Sequence, residues 1–136
     1  MRYLSVLFAS QPATPPPPEL FEAIMALGQE ATTAGVMLDM GGLLPHTRTD
    51  VTVQSDELSV LDGPFTETKE LVAGFWLWQV RDLDEAVEWV KRCPNPMPGD
   101  SEIEIRPLYE DGDFGDALTP ELKEQEDRLR AEVAQQ

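Results

Sequence analysis

The alternation of apolar and polar residues along the chain predicts a series of short strands. Segments 2–9 ("RYLSVLFA") and 74–80 ("GFWLWQV") are rich in the branched and aromatic residues that are typical of strands. Segments 49–55 and 57–63 are predicted to form a hairpin, because Val51 and Val53 alternate with polar residues in the first of them. Two further strands are predicted: 36–45, interrupted by the glycine pair Gly41–Gly42 before a turn, and 102–108 ("EIEIRPL").

Three segments carry helical signals. In segment 19–34 the apolar residues recur at helical spacing, Pro18 suits the first turn, and Gly35 supplies a stop. Segment 81–94 is predicted to form a second helix that starts at Asp82 with a capping box. An acidic loop then leads to Thr119 and Pro120, an N-cap and first residue for a terminal helix with a thin apolar stripe.

This order of elements predicts an α+β fold with a ferredoxin-like antiparallel sheet, whose two main helices cover one face. The second face is expected to be apolar as well, because both alternating sets of side chains in segment 74–80 are mainly apolar. A one-sided sheet normally alternates cleanly between apolar and polar residues, and several large apolar side chains in water are a liability. We therefore predict a homodimer in which two sheets face each other.

Length and composition fit this picture. The chain has 136 residues, which suits one domain over 1–110, followed by an acidic loop and C-terminal helical extension over 111–136. Acidic residues number 26 against 10 basic ones, a formal charge of −16 that argues against direct binding to nucleic acid or to an anionic membrane. The single cysteine, Cys93, excludes an intrachain disulfide. The apolar run at the N-terminus is too short for a signal peptide, so we expect a cytoplasmic protein.

The segment Asp62-Gly63-Pro64-Phe65 follows the predicted hairpin and has the composition of a turn. An Asp side chain can accept hydrogen bonds from backbone N–H groups just after it, and Pro64 fixes its own φ. Phe65 would anchor the loop to the core. None of these roles requires a chemical reaction.

The block "DGPFTETKE" (62–70) also carries a resemblance, together with "GFWLWQV", "DLDEAVEWVKRCP" and "EIRPL" after it and "RYL", "AGV" and "GLLP" before it. In this order the motifs resemble the YCII-related family, in the branch named for its DGPF motif. The resemblance implies a dimeric α/β barrel built from ferredoxin-like subunits. Some relatives have been suspected of being enzymes because a His and an Asp meet in a cleft, and some members accompany or are fused to extracytoplasmic-type sigma factors. This chain has no histidine in its first strand or first helix, so only Asp62 carries over from the family's motif.

The candidate site residues cluster around this motif in the sequence. Asp62 and His46, the only histidine, are candidate catalytic residues, since a His titrates near neutral pH and a carboxylate beside a lysine can be tuned for proton transfer. The candidate ligand-binding residues are Asp62, Phe65, Lys69, Arg48 and Trp76. Solvated-loop roles for His46 and Lys69, and core packing for Trp76, are the alternatives. Asp39, His46 and Asp50 lack metal-motif spacing, and we expect neither a metal nor a cofactor.

Three functional hypotheses are compatible with these residues. The first is a dimeric domain that binds a small molecule in a barrel cavity near the DGPF loop. The second is an enzyme that acts on a small metabolite by acid–base chemistry, using Asp62 with His46 or Lys69. The third is a regulatory protein that contacts a sigma factor through its acidic surface or its C-terminal helix.

Overall fold

The structure of the chain, a computed structural model, describes residues 1–9, 17–43, 49–62, 71–94 and 101–136. In chain order its elements are β1 (Arg2–Ala9), α1 (Pro18–Thr33), β2 (Met37–Gly42), β3 (Thr49–Gln54), β4 (Glu57–Asp62), β5 (Leu71–Gln79), α2 (Leu83–Val90), β6 (Glu102–Pro107), a 3₁₀ helix (Asp111–Ala117) and α3 (Pro120–Ala134).

The main sheet has four antiparallel strands in the order β2-β5-β1-β6, and β3 and β4 pair with each other in a separate two-stranded ribbon. With the ribbon set aside, the remaining elements follow the order β-α-β-β-α-β. The fold is therefore α+β and consistent with a ferredoxin-like arrangement, as the sequence predicted. Among the described residues, no helix combines the length and apolar character needed to cross a membrane.

The hydrophobic core lies between the sheet and the two main helices. Tyr3, Leu7, Trp76, Trp78 and Val80 are buried on one sheet face, and Ala31 of α1 and Ala86 of α2 pack against them. Small alanines on the helices leave room for the large indole rings of the sheet, as close packing requires. Two tryptophans, a tyrosine and aliphatic side chains thus fix which face of β5 meets the helices.

A buried polar pair lies within this core. Ser5 and Trp78 are both fully buried, and the Trp78 Nε1–H donates a hydrogen bond of 2.8 Å to Ser5 Oγ. A buried indole N–H without a partner would cost about 1–3 kcal/mol. Ser5 therefore stands where the neighbouring tryptophan needs an acceptor.

The helix ends confirm several sequence predictions. Pro18 begins α1, and Thr119 Oγ1 accepts the Leu122 N–H at 3.2 Å before Pro120 begins α3. Asp82 caps α2 by accepting the Glu85 N–H at 2.9 Å. The return bond of the predicted capping box is displaced by one residue, because Glu85 accepts the backbone N–H of Arg81 and not that of Asp82.

Two local predictions were wrong. The glycine pair Gly41–Gly42 does not interrupt β2, which continues through both residues. A Cβ at Gly41 would lie 2.9 Å from Cε1 of Phe75, so the glycine leaves space for a ring of the neighbouring strand. The predicted acidic loop contains 3₁₀-helical structure from Asp111 to Ala117, kinked at Gly115, which has a φ of 56°; it begins with reciprocal side-chain bonds between Glu110 and Asp113.

Candidate functional site

Most of the site residues predicted from the sequence fall outside the described part of the chain. His46, Arg48, Phe65 and Lys69 all lie there. Asp62 is the last residue of β4, and its backbone pairs with Thr49 at the base of the ribbon. The structure thus gives Asp62 a position in the fold, at the point where the ribbon leads into the DGPF segment.

Trp76 lies in the core, beneath the helices. It is 5% exposed and stands opposite Ser5 of β1 and Met40 of β2. Its Nε1–H is buried and has no hydrogen-bond partner among the described residues. The indole therefore faces the side of the sheet opposite to the predicted dimer cavity, and contact between Trp76 and a ligand stays a prediction.

The other side of the sheet carries a second apolar layer, which we call the open face. Its members are partly exposed and come from the two central strands: Leu4, Val6, Phe8, Phe75 and Leu77. Leu4 stands opposite Leu77 and Val6 opposite Phe75, so the side chains form cross-strand pairs. Neither α1 nor α2 packs on this face, since both contribute to the core on the opposite side.

A cleft of about 1050 Å³ opens at one end of the open face, between the sheet and α3. Arg2, Leu38 and Gln79 form its sheet side, and Arg2 stands opposite Gln79 on neighbouring strands. The opposite wall comes from the 3₁₀ helix and α3: Glu110, Asp111, Gly112, Glu126, Asp127, Leu129, Arg130, Val133 and Ala134. The cleft thus combines an apolar strip with charged groups of both signs.

Ion pairs hold the charged wall in place. Arg2 Nη2 lies 3.7 Å from Glu110 Oε2 and donates to the Tyr109 carbonyl at 3.3 Å. Lys123 Nζ lies 2.8 Å from Asp111 Oδ2, and a hydrogen bond from Lys123 lowers the pKa of the Asp111 carboxyl. A hydrogen bond to Glu126 likewise raises the pKa of Arg130. Both arginines of the cleft are already engaged by carboxylates, so an anionic ligand would have to displace these partners.

The described residues offer little reactive chemistry. Burial raises the pKa of the Cys93 thiol to about 12, which leaves it protonated and a poor nucleophile at neutral pH. Over the described part of the chain, no group of three or more His, Cys, Asp or Glu side chains could hold a metal ion.

The sequence did not predict that these residues form a cleft. Arg2 and Gln79 lie at strand ends that come together only through the pairing of β1 with β5. The stripe that includes Leu129 and Val133 was visible in the sequence, but its position beside the open face depends on the turn through the 3₁₀ helix. The one signal for this cleft in the sequence was a basic residue at the start of the first strand together with an acidic segment after the last strand.

Comparison with known proteins gives the family. The model of the YCII-related domain matches residues 1–110, which include the main sheet, α1, α2 and the ribbon. The chain belongs to the YCII-related domain family. It is also similar to an uncharacterised protein of Rhizobium meliloti (strain 1021), with 34% identity over 94 residues, 67% of this chain and 76% of that protein.

Within this YCII-related chain, the cleft crosses the limit of the family match. Its sheet side belongs to the matched residues, whereas α3 and the 3₁₀ helix follow residue 110. The open face and the ribbon therefore lie within the family match, and the charged wall is built, apart from Glu110, by the segment after it.

Proposed function

We propose that two copies of this chain associate through their open faces and bind a small molecule in the cavity between them, beside the DGPF loop. The observation that carries this proposal is the apolar second side of the central strands, where Val6, Phe75 and Leu77 remain partly exposed. A sheet that is apolar on both sides needs cover on both, and α1 and α2 supply only one cover.

The energy of such an association follows from the side chains involved. Complete burial of a side chain of the Val, Leu or Phe type contributes about 1.5–3 kcal/mol, and each open face presents five such groups. Only part of this gain remains, because the open-face groups are already partly buried and association costs translational and rotational freedom. The net free energy is sufficient for a stable pair only if the open-face side chains of both copies become buried against each other.

The ligand would be a small molecule of mixed polarity. Sites of this kind span roughly 300–1,000 Å³ and combine apolar walls with a few directed polar groups. The cleft reaches this size in one copy, but it lies at the end of the open face formed by Arg2 and Gln79, whereas the DGPF segment precedes Leu71 at the other end of β5. The groups predicted from the sequence, Asp62, Phe65, Lys69 and Arg48, would therefore have to reach this cleft from the second copy.

Mass measurement in solution tests the association. Light scattering of the purified wild-type chain should give twice the mass of one chain, and Val6→Glu should reduce it to one chain because a charge enters the open face. Glu88→Gln on the exposed outer side of α2 is the matched control and should keep the double mass. A single-chain mass for the wild type at micromolar concentration would overturn the proposal.

Ligand binding needs a separate measurement. Native mass spectrometry of the freshly purified pair should detect a bound small molecule that Val6→Glu no longer retains. Asp62→Asn should weaken retention if the DGPF side contributes to the site. Turnover of a metabolite by the wild type, abolished in Asp62→Asn, would instead favour an acid–base enzyme, and capture of a sigma factor would favour the regulatory role.

A further inference from the structure

One face of the β3–β4 ribbon carries a cluster of four aliphatic side chains. Val51 stands opposite Val60, and Val53 stands opposite Leu58. These four side chains are 56–70% exposed, more than any residue of the open face. We call them the arm patch. A stable ribbon normally buries one of its faces, whereas these adjacent aliphatic side chains remain largely in contact with water.

Nothing in the described part of the chain covers the arm patch. The ribbon forms its own two-stranded sheet, separate from the main sheet, and neither α1, α2 nor α3 makes extensive contact with it. An isolated two-stranded ribbon is at best marginally stable in water. Its turn adds a further cost, because Ser55 has a φ of 55°, in the left-handed region. The ribbon therefore needs an external surface.

We infer that the ribbon is an intersubunit arm, whose arm patch packs on the margin of the open face of a second copy. This inference rests on the proposed homodimer and adds the element that completes its interface. The patch is uncharged, so its partner surface must be apolar, and this chain itself presents such a surface around Leu4 and Val6. A twofold pair lets each copy supply both surfaces at once.

Charge at the tip of the arm supports the same partner. Asp56 and Glu57 are exposed and have no ion-pair partner among the described residues. Arg106 of β6 stands opposite Leu4, at the margin of the open face, and is 72% exposed; it lies 3.5 Å from Glu104, so an acidic tip would have to compete with that carboxylate. In a chain of charge −16, an exposed arginine beside an apolar face is the expected counterpart for an acidic tip.

Dimensions and area are compatible with this arrangement. Each strand of the ribbon has six residues and spans about 20 Å, close to the roughly 15–20 Å width of a four-stranded sheet. Stable interfaces use roughly 20–30 residues a side, which the open face alone does not reach. Since β4 ends at Asp62, an arm docked on a second copy would bring the start of the DGPF segment to the junction between the two subunits.

A matched pair of substitutions tests the arm. Leu58→Glu places a charge in the arm patch, whereas Ser59→Glu adds the same charge to the neighbouring exposed residue on the opposite face of the ribbon. Sedimentation equilibrium should show at least a hundredfold weaker dimer for Leu58→Glu, about 2.8 kcal/mol, because each dimer loses the contact twice. Ser59→Glu should stay within a few-fold of wild type. Val53→Thr with Leu58→Thr preserves strand propensity and should also weaken the dimer.

Crosslinking between differently tagged copies distinguishes packing of the ribbon on a second copy from packing of the ribbon on its own sheet. All copies carry Cys93→Ala; one has Glu57→Cys and the other Arg106→Cys. A short bis-maleimide should join the mixed copies into a covalent heterodimer, whereas Glu57→Cys mixed with Glu88→Cys on the helix side should give none.

The outcomes distinguish the arm from the proposed function. A wild-type monomer overturns both. A wild-type dimer whose affinity is unchanged by Leu58→Glu and by the double threonine variant overturns the arm and leaves the open-face dimer intact. In a further variant that carries both Glu57→Cys and Arg106→Cys in one chain, crosslinks found only within single copies would show that the ribbon covers its own sheet, and would likewise overturn the arm.

Discussion

The buried bond between Trp78 and Ser5 gives a sharp prediction about stability. Ser5→Ala removes the acceptor of the 2.8 Å hydrogen bond and leaves the Trp78 N–H buried without a partner. The lost bond and the stranded donor together should cost about 1–3 kcal/mol of unfolding free energy. With a urea dependence typical of small domains, the midpoint should fall by on the order of 1 M.

A second tryptophan provides the matched control. Trp76 and Trp78 are both nearly or fully buried in the same strand, but Trp76 Nε1 has no partner in the described part of the chain. Trp→Phe at either position removes a similar volume, and only Trp78→Phe also leaves Ser5 Oγ without its donor. We therefore expect Trp78→Phe to be more destabilising than Trp76→Phe by about 1–3 kcal/mol.

The assay is urea unfolding followed by far-UV circular dichroism, which does not depend on the tryptophans being replaced. Protomer concentration must be held constant, because association would add to the apparent stability. A double-mutant cycle of Ser5→Ala and Trp78→Phe should give a coupling of about 1 kcal/mol. A coupling below about 0.3 kcal/mol, or an unchanged midpoint for Ser5→Ala, would refute the importance of this bond.

Three further predictions concern separate parts of the molecule. Because burial raises its pKa to about 12, Cys93 should react with iodoacetamide at pH 8 much more slowly than a free thiol, and mass spectrometry measures this; a rate equal to that of a free thiol would contradict the raised pKa. Because Asp111 has a lowered pKa, its bond to Lys123 should stabilise α3 fully above the ordinary carboxyl pKa of about 3.9 and progressively less as the pH falls through the lowered value. Hydrogen exchange in α3, compared between wild type and Lys123→Gln, should show this loss, and identical exchange profiles would contradict it. Gly74→Ala should destabilise the sheet more than Gly41→Ala. The new Cβ at Gly74 would lie 3.0 Å from the backbone oxygen of Gly41, whereas a Cβ at Gly41 would meet the Phe75 ring, which can move. Equal urea midpoints for the two variants would argue against this.

The sequence was most informative where the physical cause is local. Pro18, Asp82 and Thr119 mark helix starts because capping and the fixed φ of proline act within one turn. The apolar character of both sides of segment 74–80 likewise required only the alternation of a strand. These predictions could be made without knowledge of which strands pair.

Features that depend on strand pairing could not be predicted in the same way. Alternation separates Trp76 from Phe75, but it does not say which of the two faces meets the helices. Gly41 looked like a strand breaker because the Phe75 ring that fills its space comes from another strand, and only the register brings the two together. The cleft could not be predicted for a similar reason, because Arg2 and Leu129, which both line it, are distant in sequence.

The position of Asp62 links the family motif to association. A motif placed after a strand of the main sheet would have a fixed geometry in a single subunit, whereas Asp62 ends a ribbon that is separate from that sheet. The ribbon's aliphatic cluster is uncovered by the described residues of its own chain, so whatever covers it would also influence the position of Asp62, where the DGPF segment begins. If a second copy covers it, weakening the dimer should weaken ligand binding even when no ligand contact is altered. Leu58→Glu and Asp62→Asn should then both reduce ligand retention, but only Leu58→Glu should be rescued by raising the protein concentration, because mass action restores the dimer and not a missing carboxylate. Retention that is lost in Leu58→Glu at every concentration, or unaffected in the monomeric protein, would break this link.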